Sequence, residues 1–121
     1  MEHLVFVYGT SKRGHGNHNL LSNNEAKFIG TFKTQQGYSL FVEGLPYLVP
    51  REEGHGVVGE LFLVDVETMT RLDHLEGHPT FYSRERIKLQ GYEDEVWVYV
   101  YQEKCCDEFR NSTPEYYYKG Y

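Results

Sequence analysis

The run Val96-Trp97-Val98-Tyr99-Val100-Tyr101 alternates a small β-branched residue with a large aromatic one over six positions. A period of two puts the valines on one face and the rings on the other, and both residue types pack well on a pleated surface. This segment is a strand, and it calls for partners. An aromatic share of 16%, with 11 Tyr and 7 Phe, extends the same preference to the whole chain and predicts a fold dominated by strands.

Residues 81–90 read as the nearest partner, joined to residues 95–102 by Gly91-Tyr92-Glu93-Asp94 as a hairpin. Further back, residues 4–8 form a β-prone apolar run that stops at Gly9, which reads as a buried first strand followed by a turn. Residues 14–19 have a loop composition, and Leu20, Leu21, Ala26 and Phe28 suggest a short helix before a second strand over 28–33. Residues 38–42 and 47–49 are short strand candidates around the turn Glu43-Gly44-Leu45-Pro46. Gly59, inside the strand pattern of 57–64, predicts a bulge or a close backbone approach.

One segment breaks the β pattern. Asp65 offers an N-cap for a helix over 68–75, with Val66, Met69, Leu72 and Leu75 as its inward stripe. That helix must end near Glu76, because Gly77 is a poor helix residue and His78, which precedes Pro79, is biased away from helical backbone. No periodicity continues after residue 104, and residues from about 105 read as a tail to a single domain over 1–121.

Composition excludes several classes. A net charge of −6 and a pI near 5.5 argue against nucleic acid as a partner, since phosphate neutralisation needs a basic surface. No apolar run is long enough to span a bilayer, so no membrane partner is expected. Met1-Glu2-His3 leads straight into strand-like residues with no signal-peptide pattern, and adjacent Cys105 and Cys106 build no disulfide framework. Together these predict a cytoplasmic protein.

Gly9 and Gly14 bracket Thr10, Ser11, Lys12 and Arg13, a loop whose backbone N–H groups can hold a small anion or make only a tight turn out of the strand. The residues after Gly14, His15 and Gly16, do not match a phosphate-binding loop or a dinucleotide fingerprint. His74 and His78 have the spacing of zinc ligands, but the helix ends before His78 can share a face with His74, and a pair of surface histidines is the simpler reading. No metal is expected. Glu76 reads either as a solvated charge or as a proton acceptor. It follows the inward stripe at a helix C-terminus, where the macrodipole disfavours ionisation.

Taken together, Phe6-Val7-Tyr8-Gly9-Thr10 with Lys12-Arg13-Gly14 and Asn17-His18, Leu72-Asp73-His74-Leu75-Glu76-Gly77-His78-Pro79 with Tyr82, and the 96–101 strand resemble the γ-glutamylcyclotransferase family. The likeness covers about the first hundred residues and is greatest to the short γ-glutamylamine cyclotransferase and AIG2-like members. It implies an α+β fold, a compact mixed β-barrel with a few flanking short helices. It implies an enzyme that releases 5-oxoproline from a small γ-glutamyl substrate without a cofactor. Glu76 would be the general acid and base; Tyr8, Gly9, Thr10, Ser11 and Tyr82 would line the substrate site, with Tyr47 and Tyr99 as further candidates. Ser11 stands where the family usually has leucine. A binding module of the same fold, holding such a ligand without converting it, is the alternative reading.

Overall fold

The computed structural model describes residues 2–9, 26–35, 37–43, 45–50, 56–78 and 82–101. Eight strands and one helix lie within them. These are β1 (Glu2–Val7), β2 (Ala26–Thr34), β3 (Tyr38–Glu43), β4 (Leu45–Pro50), β5 (Val58–Asp65), α1 (Val66–Glu76), β6 (Tyr82–Ile87), β7 (Leu89–Gln90) and β8 (Val96–Tyr101).

Six strands form one mixed sheet in the order β6-β8-β1-β5-β2-β7. β1 is central, antiparallel to β5 (Val7↔Glu60) and parallel to β8 (Val5↔Trp97). The expected hairpin is present, with Tyr82 opposite Tyr101 and Ile87 opposite Val96. The predicted strand over 81–90 is, however, broken at Lys88. Leu89 and Gln90 leave β8 and pair with Thr34 and Lys33 of β2, at the other edge of the sheet. One residue thus separates two strands at opposite edges, and the sheet must curl until those edges meet. Nothing local to Lys88 signals the break; closure of the barrel imposes it.

The barrel interior holds Phe6, Tyr8, Leu61, Ile87, Leu89, Val96, Val98 and Val100. The β3–β4 hairpin forms a second, two-stranded sheet and adds Leu40 and Leu48 to this cluster. Its ladder runs to the Glu43↔Leu45 pair, so Leu45 and Pro46 belong to a strand rather than to the predicted turn. Gly59 makes a close approach: a Cβ there would lie 2.5 Å from the Val7 carbonyl oxygen and 2.6 Å from Cζ of Phe6. The bulge falls instead on the neighbouring strand, between Phe28 and Gly30 of β2.

Two helix expectations change. The suggested short helix near 20–28 does not reach Ala26 and Phe28, which stand in β2, and its earlier residues lie outside the described ones. Of the few helices expected, the described residues contain one. On α1 the predicted stripe of Val66, Met69, Leu72 and Leu75 is half right. Met69 and Leu72 are buried with Thr68, whereas Val66 is 49% and Leu75 42% exposed. Spacing of three drifts around a helix of 3.6 residues per turn, so the buried face follows 68, 69 and 72 and reaches 76. That face packs on Val5, Val7, Phe62, Val64, Tyr82 and Tyr99, on the opposite side of the sheet from the barrel interior. Cys105, Cys106 and the expected tail lie outside the described residues.

Candidate active site

The site follows from a change of chain direction at Asp65. This residue ends β5 and caps α1: its carboxylate accepts the Thr68 backbone N–H at 2.8 Å, and hydrogen bonds from the Thr68 hydroxyl first and from that N–H second hold its pKa below the usual value. β5 runs antiparallel to β1, so a helix that doubles back over β5 travels with β1. Eleven residues at 1.5 Å each give about 16 Å, enough to return to the C-terminal end of β1. There α1 stops in a Schellman turn. Gly77, at φ 70°, donates to the His74 carbonyl at 3.2 Å, and His78 donates to the Asp73 carbonyl at 3.0 Å.

Glu76 is the last residue of that helix, partly buried against the sheet. Desolvation raises its pKa from 4.5 to about 7, and the helix C-terminus acts in the same direction. Within its electrostatic reach, just past the end of β1, is Tyr8, which is buried. Its hydroxyl donates to the Tyr99 carbonyl at 2.6 Å and accepts the Leu48 backbone N–H. Burial drives the Tyr8 pKa well above the ordinary phenol value, and Tyr82 and Glu76 push it in the same direction. Tyr99 is likewise raised, first by burial and then by its 2.6 Å bond to the Asp73 carboxylate, with Glu76 adding to the shift. The phenols of Tyr8 and Tyr99 therefore stay protonated at neutral pH, while Glu76 can gain and lose a proton there.

Of the residues expected from sequence, Glu76, Tyr8, Tyr82 and Tyr99 come together, with buried Gly9 adjoining Tyr8. Thr10 and Ser11 lie outside the described residues, as does the side chain of Tyr47. The two candidate metal ligands part company: His74 is exposed, whereas Nδ1 of His78 accepts the Arg84 backbone N–H at 3.1 Å. Asp73 and Arg84 join this group without having been singled out by the sequence pattern. Arg84 Nε donates to Asp73 Oδ1 at 2.7 Å, and its guanidinium lies 4.7 Å from the centre of the Trp97 ring. The signals were present: Asp73 is one helical turn before Glu76, and Arg84 shares the β6 face of Tyr82.

The family profile described as "Gamma-glutamyl cyclotransferase, AIG2-like" matches residues 5–119. This chain belongs to that family. Among its relatives, the gamma-glutamylaminecyclotransferase of Rattus norvegicus is 34% identical over 112 residues, covering 80% of this chain and 75% of its own. A Methanocaldococcus jannaschii protein, named only provisionally as a gamma-glutamylcyclotransferase, is 42% identical over 104 residues, covering 84% of this chain and 86% of its own. The crystal structure of an AIG2-like protein from Mus musculus superposes with a TM-score of 0.87 at 29% identity, over 98% of this chain and 88% of that one. Members of the gamma-glutamyl cyclotransferase family thus share with this chain both sequence and the curled mixed sheet with its helix.

Proposed function

We propose that this chain releases 5-oxoproline from a γ-glutamyl amine or γ-glutamyl amino acid, with Glu76 as general acid and base. The α-amine of the substrate attacks its own γ-carbonyl carbon, forming the C–N bond of a five-membered lactam. Glu76 takes the proton that this nitrogen must lose and returns it to the departing nitrogen as the old γ-amide bond breaks. The substrate supplies its own nucleophile, so neither a protein nucleophile nor a cofactor is called for. The protein contributes orientation of the bent γ-glutamyl chain and stabilisation of the oxyanion. We assign the first task to Tyr8 and Tyr82 and the second to the backbone N–H groups of Gly9, Thr10 and Ser11.

One observation supports the reading: a partly buried carboxyl with a pKa of about 7 stands within electrostatic reach of buried Tyr8, which Gly9 follows in the chain. A base matched to neutral pH contributes about 10²- to 10⁴-fold to proton transfer. The net charge of −6 fits a small substrate better than nucleic acid, and the adjacent cysteines fit a cytoplasmic setting. Among the described residues no helix is long and apolar enough to cross a membrane.

The test is a panel of γ-glutamyl amines and γ-glutamyl amino acids assayed for 5-oxoproline by mass spectrometry. Wild type turns over at least one of them, and Glu76→Gln loses at least about 100-fold in kcat while still binding it. Equal turnover by the variant removes Glu76 from the mechanism; binding without turnover by wild type makes the chain a ligand-binding module.

A further inference from the structure

A residue at the very end of a helix is where helices fray, yet proton transfer tolerates only small displacements of the base. Glu76 is such a residue, and one residue of the adjacent sheet reaches the turn on both sides of it, by its side chain before Glu76 and by its backbone after it. Arg84 Nε–H donates to Asp73, three residues before Glu76, at 2.7 Å. The backbone N–H of Arg84 donates to Nδ1 of His78, two residues after Glu76, at 3.1 Å. The guanidinium is itself fixed. It rests over the Trp97 ring, and the Asp73 oxygen it binds also accepts the Tyr99 hydroxyl at 2.6 Å. Arg84 and Tyr99 sit opposite each other in the β6–β8 ladder, so both donors are placed by one strand pair.

We propose that Arg84 is the positioning residue of the site: it clamps Asp73 and His78 and thereby holds the Glu76 carboxyl in place between them. The proposal rests on the role given to Glu76 above. Arg84 also answers a charge. Glu76 acts electrostatically on Tyr8 at the end of β1 and on Tyr99 of β8, Tyr82 of β6 acts on Tyr8, Asp73 and His74 stand on the same helix as Glu76, and His78 follows it by two residues. Asp73 is the like-charged neighbour among these, and Arg84 pairs with it in a contact where each side chain is 22% exposed. Without that cation, the Asp73 charge acts on Glu76 uncompensated and disfavours its ionisation.

Arg84→Gln and Arg84→Lys decide the matter. The rate of 5-oxoproline formation is followed against substrate concentration to give kcat and KM for each variant. In the absence of substrate, the Glu76 midpoint is read by ¹³C carboxyl NMR, with Glu76→Gln identifying the resonance. Arg84→Gln is expected to lower kcat by about 10- to 100-fold with KM within about twofold, as a displaced base does. Its Glu76 midpoint should rise by about one pH unit. Arg84→Lys should restore the midpoint but only part of kcat, because an ammonium keeps the charge without the planar fork. An unchanged kcat and midpoint in folded Arg84→Gln overturns the proposal. If Arg84→Gln does not fold, Tyr99→Phe removes the other donor to the same oxygen; it must lower kcat with KM held, and failure to do so overturns the proposal equally. A wild type without turnover refutes the cyclotransferase reading instead, and the NMR midpoint still judges Arg84.

Discussion

At pH 8 the variant Glu76→Gln should be more stable than the wild type. Burial raises the Glu76 pKa from 4.5 to about 7, so between those values the folded protein holds a proton that the unfolded chain has released. For a carboxyl shifted upward, the favourable contribution is complete below the unfolded pKa, is lost as pH rises to the folded pKa, and changes no further above it. A gap of about 2.5 units at 1.36 kcal/mol per unit makes the ionised Glu76 cost about 3 kcal/mol at pH 8. At about 2.1 cal/mol/K of unfolding entropy per residue over 121 residues, that corresponds to about 12 °C in Tm. Glutamine has nearly the same shape and no charge, so it escapes this cost. Urea unfolding of both proteins from pH 4.5 to 8.5 checks the prediction. All other titrating groups are common to the two curves and cancel in the difference. That difference should grow by about 3 kcal/mol across the range, most of it below pH 7. Parallel curves would mean that Glu76 is solvated in the folded state, and would refute both the desolvation and the base built on it.

Gly59→Ala should cost about 1–3 kcal/mol, because the new methyl meets the Val7 carbonyl and the Phe6 ring with no room to move aside. Gly91→Ala, where nothing lies within 4 Å, is the control and carries only the strain of its positive φ; equal urea midpoints for the two would disprove the close-approach account. Tyr8→Phe leaves the buried Tyr99 carbonyl and the Leu48 N–H without their hydroxyl partner, a loss of about 2 kcal/mol or more by chemical unfolding, together with slower 5-oxoproline release. A fully stable Tyr8→Phe would show that water replaces the hydroxyl.

Where a feature rests on local chemistry, it could be read along the chain. Asp65 and Gly77 delimit α1 through their own capping bonds, and the alternation of 96–101 makes β8 whatever its neighbours are. The place of Glu76 at a helix end, four residues after buried Leu72, is a matter of spacing, whereas its role is what the family resemblance implies. Features set by distant pairing were not. Lys88 looks like any other residue of a strand, and only the demand that β7 meet β2 explains the break there. Arg84 on a half-exposed strand reads as a solvated charge; its place opposite Tyr99 and under Asp73 depends on the β6–β8 register and on where the helix lands. Val66 and Leu75 show the same limit, since hydrophobicity named the helix but not the angle at which it docks.

The parallel pairing of Val5 with Trp97 has a consequence for how the protein is made. A ribosome adds about 5–20 residues per second, so the first strand emerges roughly 5–20 s before the last one that flanks it. Throughout that interval an apolar ribbon has an unfilled side, open to any other nascent chain with a strand to offer. The slower the synthesis, the longer that side stays open.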